Sequence, residues 1–562
     1  MKKTLLLVLF FSGLSLNAQN LDSLFSEYVK IKTGGTVNVK QESVTAAGEE
    51  HEKCAFGLVN QIRENYNKFN AEQKTVLQKL LQRPVTDTSV FSPSGRFKIH
   101  FSKSDQPDYI PDNIRETLTA SQIPTYKKLY LDSLGVAADS AYNYEVNILG
   151  YPAPPSDNGA GGDDKYDIYI QNLGNRTYGY TDGDEQITDN TFTSYVVMDN
   201  DFSDYNTKRI DAARVTIAHE FHHMIQIGDY IFRSEDQFYY EITSTSMEEF
   251  VFDSINDYYN DLATFMYTPQ TAFPLHSGYD LAIWNLFLSS EFDVDIIKRT
   301  WELMPQERAL NAIASAISER GSSFKKEFAT FGYWLYFTGS RALPGKYFEE
   351  AANYPQVTPF ITLSFDKPET TVNVNSEPVS TNILVFTNNV GTNIDTFVTV
   401  VSNSDITNGI DNLGSVTNFK YYLSGEPASG YRNVREGYYS KLESSADFLF
   451  AETNIFNNYL IENGIVSEEI QYAYPQPFRY SRDSYIYFPA SFGQSGNVDL
   501  YIYSVDMKLV YSGIKRVLAL DKVVVQWDVK DNSGGKLGSG IYFFVIKSGD
   551  SIKKGKFAVF NE

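Results

Sequence analysis

Residues 218–226 read AHEFHHMIQ, and this stretch holds three of the chain's six histidines. Working outward, the run Lys208–Gln226 places Ile210, Ala213, Ile217, Phe221 and Met224 at three- and four-residue steps. That spacing predicts one helix with a buried apolar stripe. His219 and His223 then stand one turn apart on a single face. Two imidazoles so placed can ligate one metal ion at about 2.0–2.1 Å. Glu220 sits about 100° round the axis from His219, beside such an ion rather than in front of it. From there a carboxylate can take a proton from a metal-activated water and pass it to a leaving amine. His222 is left for packing or for supporting a ligand.

Three acids can complete the ligand set. Asp229 lies six residues past His223, but Gln226 occupies the position where that spacing needs a glycine turn. Glu241 and Glu248 lie seven residues apart in FYYEITSTSMEEFVF, which reads as a second helix. Ser244 and Thr245 between them are small enough to let two antiparallel helices approach. The spacing favours Glu241 as ligand, with Glu248 behind a histidine. Asp229 and Glu248 stay open as ligands.

Composition bounds the setting. The chain has 562 residues, a formal charge of −22 and one cysteine, Cys54. A chain this long is expected to divide into several domains. The acidic balance disfavours nucleic acid as a partner. One cysteine excludes an internal disulfide and a dithiol redox site. The opening MKKTLLLVLFFSGLSLNAQN has the order of a secretory signal peptide, with cleavage after Ala18. No further run reaches membrane-spanning length, so the mature chain is expected to be exported.

Five parts follow. Residues 1–18 are the signal and 19–90 a helical N-terminal region, a candidate propeptide. In it, Cys54, Leu58, Ile62, Tyr66 and Phe69 recur at helical spacing, which favours Cys54 as a buried core residue over a thiolate that blocks a bound metal in a latent precursor. Residues 91–355 mix helices with strands read at FKIHF, YEVNIL, YDIYI and SYVVMD. Residues 356–470 alternate as β-structure through ITLSF, TVNVN and NILVFTN. Residues 471–562 are short strands with tight turns. PSDNGAGGDDKYD and YTDGDE set Asp157, Asp163, Asp164, Asp167, Asp182 and Asp184 in Gly-rich loops. Calcium is a second candidate ion there, against the plainer reading of turn-forming acids in solvent.

The segment around residues 90–340 resembles the secreted gluzincin-type zinc metalloproteases. Shared with them are His219, Glu220, Phe221, His223 and Gln226, then Glu241 and Glu248, and the upstream stretches YPAPPSDNGAGGDDKYDIYIQNLG, YGYTDGDE and TSYVVMDND. Ile242 stands where that family commonly has glycine. The resemblance implies an α+β zincin-like catalytic domain in which His219, His223 and Glu241 bind zinc, Glu220 is the general base and the substrate is a protein or peptide. It also implies that the strand around Ser194–Met198 is the sheet edge along which an extended peptide lies. An oxyanion donor is needed as well, and FPLHSGYDLAIW offers His276 and Tyr279.

The tail, from YPQPF through VDLYIYSVD and VVVQWDVKDNSGGKLGSGIYFFVI to KKGKFAVF, alternates Val498, Leu500 and Ile502 as a small β-sandwich would. It resembles both immunoglobulin-like modules and the sorting tails of type IX secretion in Gram-negative bacteria. That implies a type IX secretion partner and release or attachment at the outer cell surface. The competing class is a surface binding or adhesive protein on a metallopeptidase fold that no longer turns over.

Overall fold

The computed structural model describes residues 11–34, 53–103, 116–364, 369–388, 395–404, 406, 417–424, 439–441, 448–455, 473–490, 497–519, 523–548 and 551–561, with 175–176, 189 and 203–204 excepted. It is a multi-unit, mixed α/β chain with two compact units, Met1–Asn260 and Asp261–Glu562.

The first unit is built on a five-stranded sheet. Its elements in chain order are α1 (Phe11–Lys32), α2 (Phe56–Glu64), α3 (Ala71–Leu80), β1 (Thr88–Phe91), β2 (Phe97–Phe101), α4 (Ile123–Tyr142), β3 (Tyr166–Gln171), β4 (Gly179–Thr188), β5 (Thr191–Asp199), α5 (Arg209–Ile225) and α6 (Gln237–Val251). The strands lie in the order β1-β2-β3-β5-β4. β2, β3 and β5 run parallel, and β4 returns antiparallel on β5 with Gly179 opposite Met198. The outer strands are therefore β1 and β4, with β4 on the side of β5. The strand containing Ser194–Met198 lies inside the sheet, which corrects its reading as the edge. YEVNIL is corrected as well: Asn143–Ile148 continues from α4 as a wide helical turn.

Side-chain alternation along the strands divides the sheet's two faces. Tyr169, Tyr180, Tyr195 and Val197 face the N-terminal helices and share a core with Tyr28, Leu58, Val59, Ile62 and Leu77. Thr181, on the opposite face of β4, meets α5. Nearly every residue of α5 from Ala212 to Ile225 is buried, because the helix packs on the sheet on one side and on α4 and α6 on others. The apolar stripe read from the sequence is present, but this helix buries its polar face too.

Gly179 sets how closely β4 and α5 approach. A Cβ there would fall 2.9 Å from Thr216 Cγ2, 2.9 Å from the Val197 carbonyl oxygen and 3.3 Å from Glu220 Cγ. Two of those neighbours cannot swing aside. Gly179→Ala is expected to destabilise the first unit by about 1–3 kcal/mol, the usual cost of overpacking, as read by urea unfolding. A change within a few tenths of a kcal/mol would show that the contact relaxes freely.

In the second unit, helices Ala282–Glu291, Asp295–Leu303, Ala309–Glu319 and Phe324–Tyr336 precede the β-structure. Strands Ile361–Ser364, Glu369–Ser376 and Ser380–Asn388 fall on the three alternating runs. The tail forms a seven-stranded sheet around Phe488, Leu500, Ile502, Trp527 and Phe544. Val498, Leu500 and Ile502 are all buried, as their alternation predicts. Among the described residues, no helix is long and apolar enough to cross a membrane.

Candidate metal centre

Helix geometry alone brings His219 and His223 together, with Nε2 atoms 3.1 Å apart. α6 runs alongside and delivers Glu241, whose Oε2 lies 3.2 Å from His219 Nε2 and 3.5 Å from His223 Nε2. Two turns on, Glu248 Oε1 lies 2.8 Å from His219 Nδ1. Gln226 Oε1 lies 2.6 Å from His223 Nδ1, and the Gln226 amide nitrogen donates to the Tyr240 carbonyl. These partners settle which nitrogens carry protons. Glu248 Oε1 and Gln226 Oε1 are acceptors, so both Nδ1 atoms are donors. In neutral imidazoles both Nε2 lone pairs then face one another and a carboxylate.

Such a convergence of lone pairs is costly without a cation. Glu241 Oε1, moreover, is buried with no hydrogen-bond partner. The charge balance also calls for a positive charge at this point. Burial pushes the His219 imidazolium pKa down, but hydrogen bonds to Glu241 and Glu248 outweigh it and lift the value to about 10. Burial raises Glu241, yet His223 and His219 bring it down to about 2. The carboxylates therefore demand positive charge here. A protonated His219 reaches Glu248 through Nδ1 and Glu241 through Nε2, whereas one divalent ion would meet Glu241 and both Nε2 atoms at once. The donor set suits zinc.

The set has a fourth member that the sequence reading placed elsewhere. Cys54 Sγ, His219, His223 and Glu241 offer ligand atoms within 4.8 Å of one another, and all four residues are buried. Cys54 is not on the helical stripe, because α2 begins only at Phe56. Its backbone instead bridges to Gly179, and this carries its side chain round the edge of β4 to the histidines. Burial raises the thiol well above its ordinary value, and the neighbouring Glu220 and Glu241 add to this.

Glu220 is buried beside the pair. Thr181 Oγ1 lies 2.9 Å from its Oε2 and 2.8 Å from its carbonyl oxygen. Burial raises the Glu220 carboxyl, with His219, His223, Cys54 and Thr181 offsetting only part of that. His222 turns to Glu145, 2.8 Å from Nδ1, and packs edge-on against Tyr151. Asp229 is exposed in the turn Gln226–Tyr230 and is not a member of the cluster. His276 and Tyr279 belong to the second unit, where His276 Nδ1 meets Asp280 Oδ2 at 2.6 Å and its ring lies edge-on to Phe265.

The aspartates read as loop residues are partly on strands: Asp167 on β3, Asp182 and Asp184 on β4. Arg83 pairs with Asp157, Asp167 and Asp184. Lys98 pairs with Asp163, and Lys32 and Arg63 pair with Asp182. Protein cations meet the charge of these five acids.

Glu248 also accepts from Lys53 Nζ at 2.6 Å, so one carboxylate orients His219 and binds a lysine. Replacing Glu248 by glutamine is expected to weaken any binding of added zinc about 10–100-fold, the usual effect of losing a partner that orients a ligating histidine. Competition with a chromogenic chelator measures this, and unchanged affinity would deny Glu248 that role.

No family model matches the chain, and no curated protein matches it. Solved structures that align include PorZ, a bacterial surface component of the type-IX secretion system of Porphyromonas gingivalis, at 20% identity over 18% of this chain and 13% of that one, with a TM-score of 0.14. Dimeric latent PorU of the same organism aligns at 21% identity over 21% of this chain and 11% of that one, with a TM-score of 0.13. The chain thus spans a small fraction of either protein, and similarity this low transfers neither fold nor function.

Proposed function

We propose that the chain is an exported zinc metallopeptidase whose first unit is a zincin-like catalytic domain. The observation that carries this reading is the meeting of the His219 and His223 Nε2 atoms with the Glu241 carboxylate, both Nδ1 atoms being held by acceptors. A bound zinc ion supplies Lewis acidity toward a water molecule and a peptide carbonyl.

The rest falls to side chains. His219, His223 and Glu241 hold the ion, and Glu248 and Gln226 fix the two rings through Nδ1. Glu220, braced by Thr181, takes the proton of the attacking water and returns it to the leaving amine. β4, the outer strand beside α5, offers main-chain groups to an extended peptide. An intact base next to two ligating histidines favours turnover over a binding-only role, which has no use for it. Export by the type IX route, through the C-terminal β-sheet tail, rests on the sequence motifs of that tail.

The test is cleavage of an unfolded protein substrate by the chain and by its Cys54→Ala variant, since Cys54 Sγ lies among the ligand atoms. A chelator is expected to abolish cleavage, and about one equivalent of zinc to restore it. Cleavage indifferent to the chelator would remove zinc from the reaction.

A further inference from the structure

Every group of the proposed active centre is closed off: Glu220 is 1% exposed, His219 2%, His223 0% and Glu241 1%. A peptidase must admit a peptide, so something now in place has to leave. The candidate is the stretch Lys53–Phe56, which touches the centre at several points. Cys54 Sγ joins the ligand atoms. Lys53 Nζ pairs with Glu248, the carboxylate behind His219, and with Asp257. The Phe56 ring stacks on the His223 ring, with centroids 4.0 Å apart and planes 7° from parallel. The backbone engages the strand that would receive substrate: the Tyr178 N–H donates to the Lys53 carbonyl at 2.8 Å, and the Ala55 N–H to the Gly179 carbonyl at 3.1 Å.

Building on the zinc reading above, we propose that Cys54 is the fourth zinc ligand and that Lys53–Phe56 is a built-in plug holding the peptidase closed until it is displaced. The geometry serves both halves of that statement. With three ligands from His219, His223 and Glu241, Cys54 Sγ stands in the fourth position that a water would take, and Lys53–Ala55 occupy the backbone groups at the start of β4. Two independent features show that the thiol is placed rather than incidental. Glu241 Oε1 is buried and without a hydrogen-bond partner among the ligand atoms. Lys53, one residue before the thiol, is itself buried between two carboxylates, which fixes the depth at which Cys54 enters. Protons balance: the thiol proton passes to solvent as sulfur binds the ion. On release the sulfur regains a proton and its position is freed for water.

The test uses the full chain loaded with cobalt(II) in place of zinc, alongside Cys54→Ala and Cys54→Ser, the serine keeping the side chain's shape if alanine disturbs folding. The wild-type chain is expected to show a sulfur-to-metal charge-transfer absorption. Both variants should lose it yet keep about one equivalent of metal, since three ligands remain. Cleavage of an unfolded protein should rise roughly 10²-fold in the variants, the factor for a plug that leaves about 1% of chains open. Cobalt bound through the histidines (lost in His223→Ala) without a sulfur band would overturn the plug and leave the metal centre standing. A wild-type chain that binds no cobalt would overturn the metal centre and the plug with it. A band that vanishes with no gain in cleavage would overturn Cys54 as the group that holds the peptidase closed.

Discussion

Replacing Glu220 by glutamine in the Cys54→Ala chain is expected to lower peptide hydrolysis by about 10²–10⁴-fold, the range for loss of a general base. Zinc content should stay unchanged. The two effects separate because Glu220 is not among the ligand atoms that meet around His219 and His223. Glutamine preserves the contact with Thr181 Oγ1 in shape and removes only the capacity to carry a proton. The loss should fall on kcat, since the proton moves only in the chemical step. Loss of zinc in step with activity would instead make Glu220 a structural prop. Unchanged hydrolysis would place the base elsewhere.

The second large effect concerns stability. Arg83 draws together Asp157, Asp167 and Asp184 from the loop before β3, from β3 and from β4. The side chains of Asp157 and Asp167 are 6% and 0% exposed, so their charges have little access to water. Arg83→Met is expected to cost about 3 kcal/mol, because it strands Asp157 as a buried charge and leaves Asp167 only His100 as a partner. The pH dependence follows in sign. Burial already raises Asp157 above its ordinary carboxyl value of 3.8, and Arg83 pulls against that rise. Without Arg83 the folded value climbs further, while the unfolded value does not move. The deficit is therefore full near neutral pH and shrinks as pH falls through the raised folded value. Urea unfolding at pH 7 and pH 5 reads both the size and the trend. A deficit that grows toward pH 5 would contradict the ion-pair account.

How far the sequence revealed this molecule depended on the range of each interaction. His219, Glu220 and His223 were legible because one helix sets their relations within two turns, whereas Gln226 stood out only as a position shared with the family. Glu241 and Glu248 were legible because a short connection lays a second helix beside the first. Cys54 was not. Its period with Leu58 and Ile62 is real, but Gly179, 125 residues further along, holds its backbone outside the helix. Strand order misled in a similar way. SYVVMD is continuously apolar, the mark of a strand covered on both faces, and it proved internal. GYTDGDEQIT carries the glycines and acids that suit an outer strand. YEVNIL alternates like a strand, yet buried Glu145 pairs with His222 and the helical turn persists, so tertiary contact overrode local preference. The aspartates read as solvated turn-formers were partly strand residues, because no local pattern announces that Arg83 will reach them.

The account rests on one divalent ion gripped by His219 and His223. The most direct test is the zinc content of the full chain after equilibrium dialysis against a weak chelator, measured beside the His219→Ala/His223→Ala double variant. The account predicts about one zinc per wild-type chain and close to none in the variant, with both chains folded by circular dichroism. Equal zinc content in the two chains would contradict it.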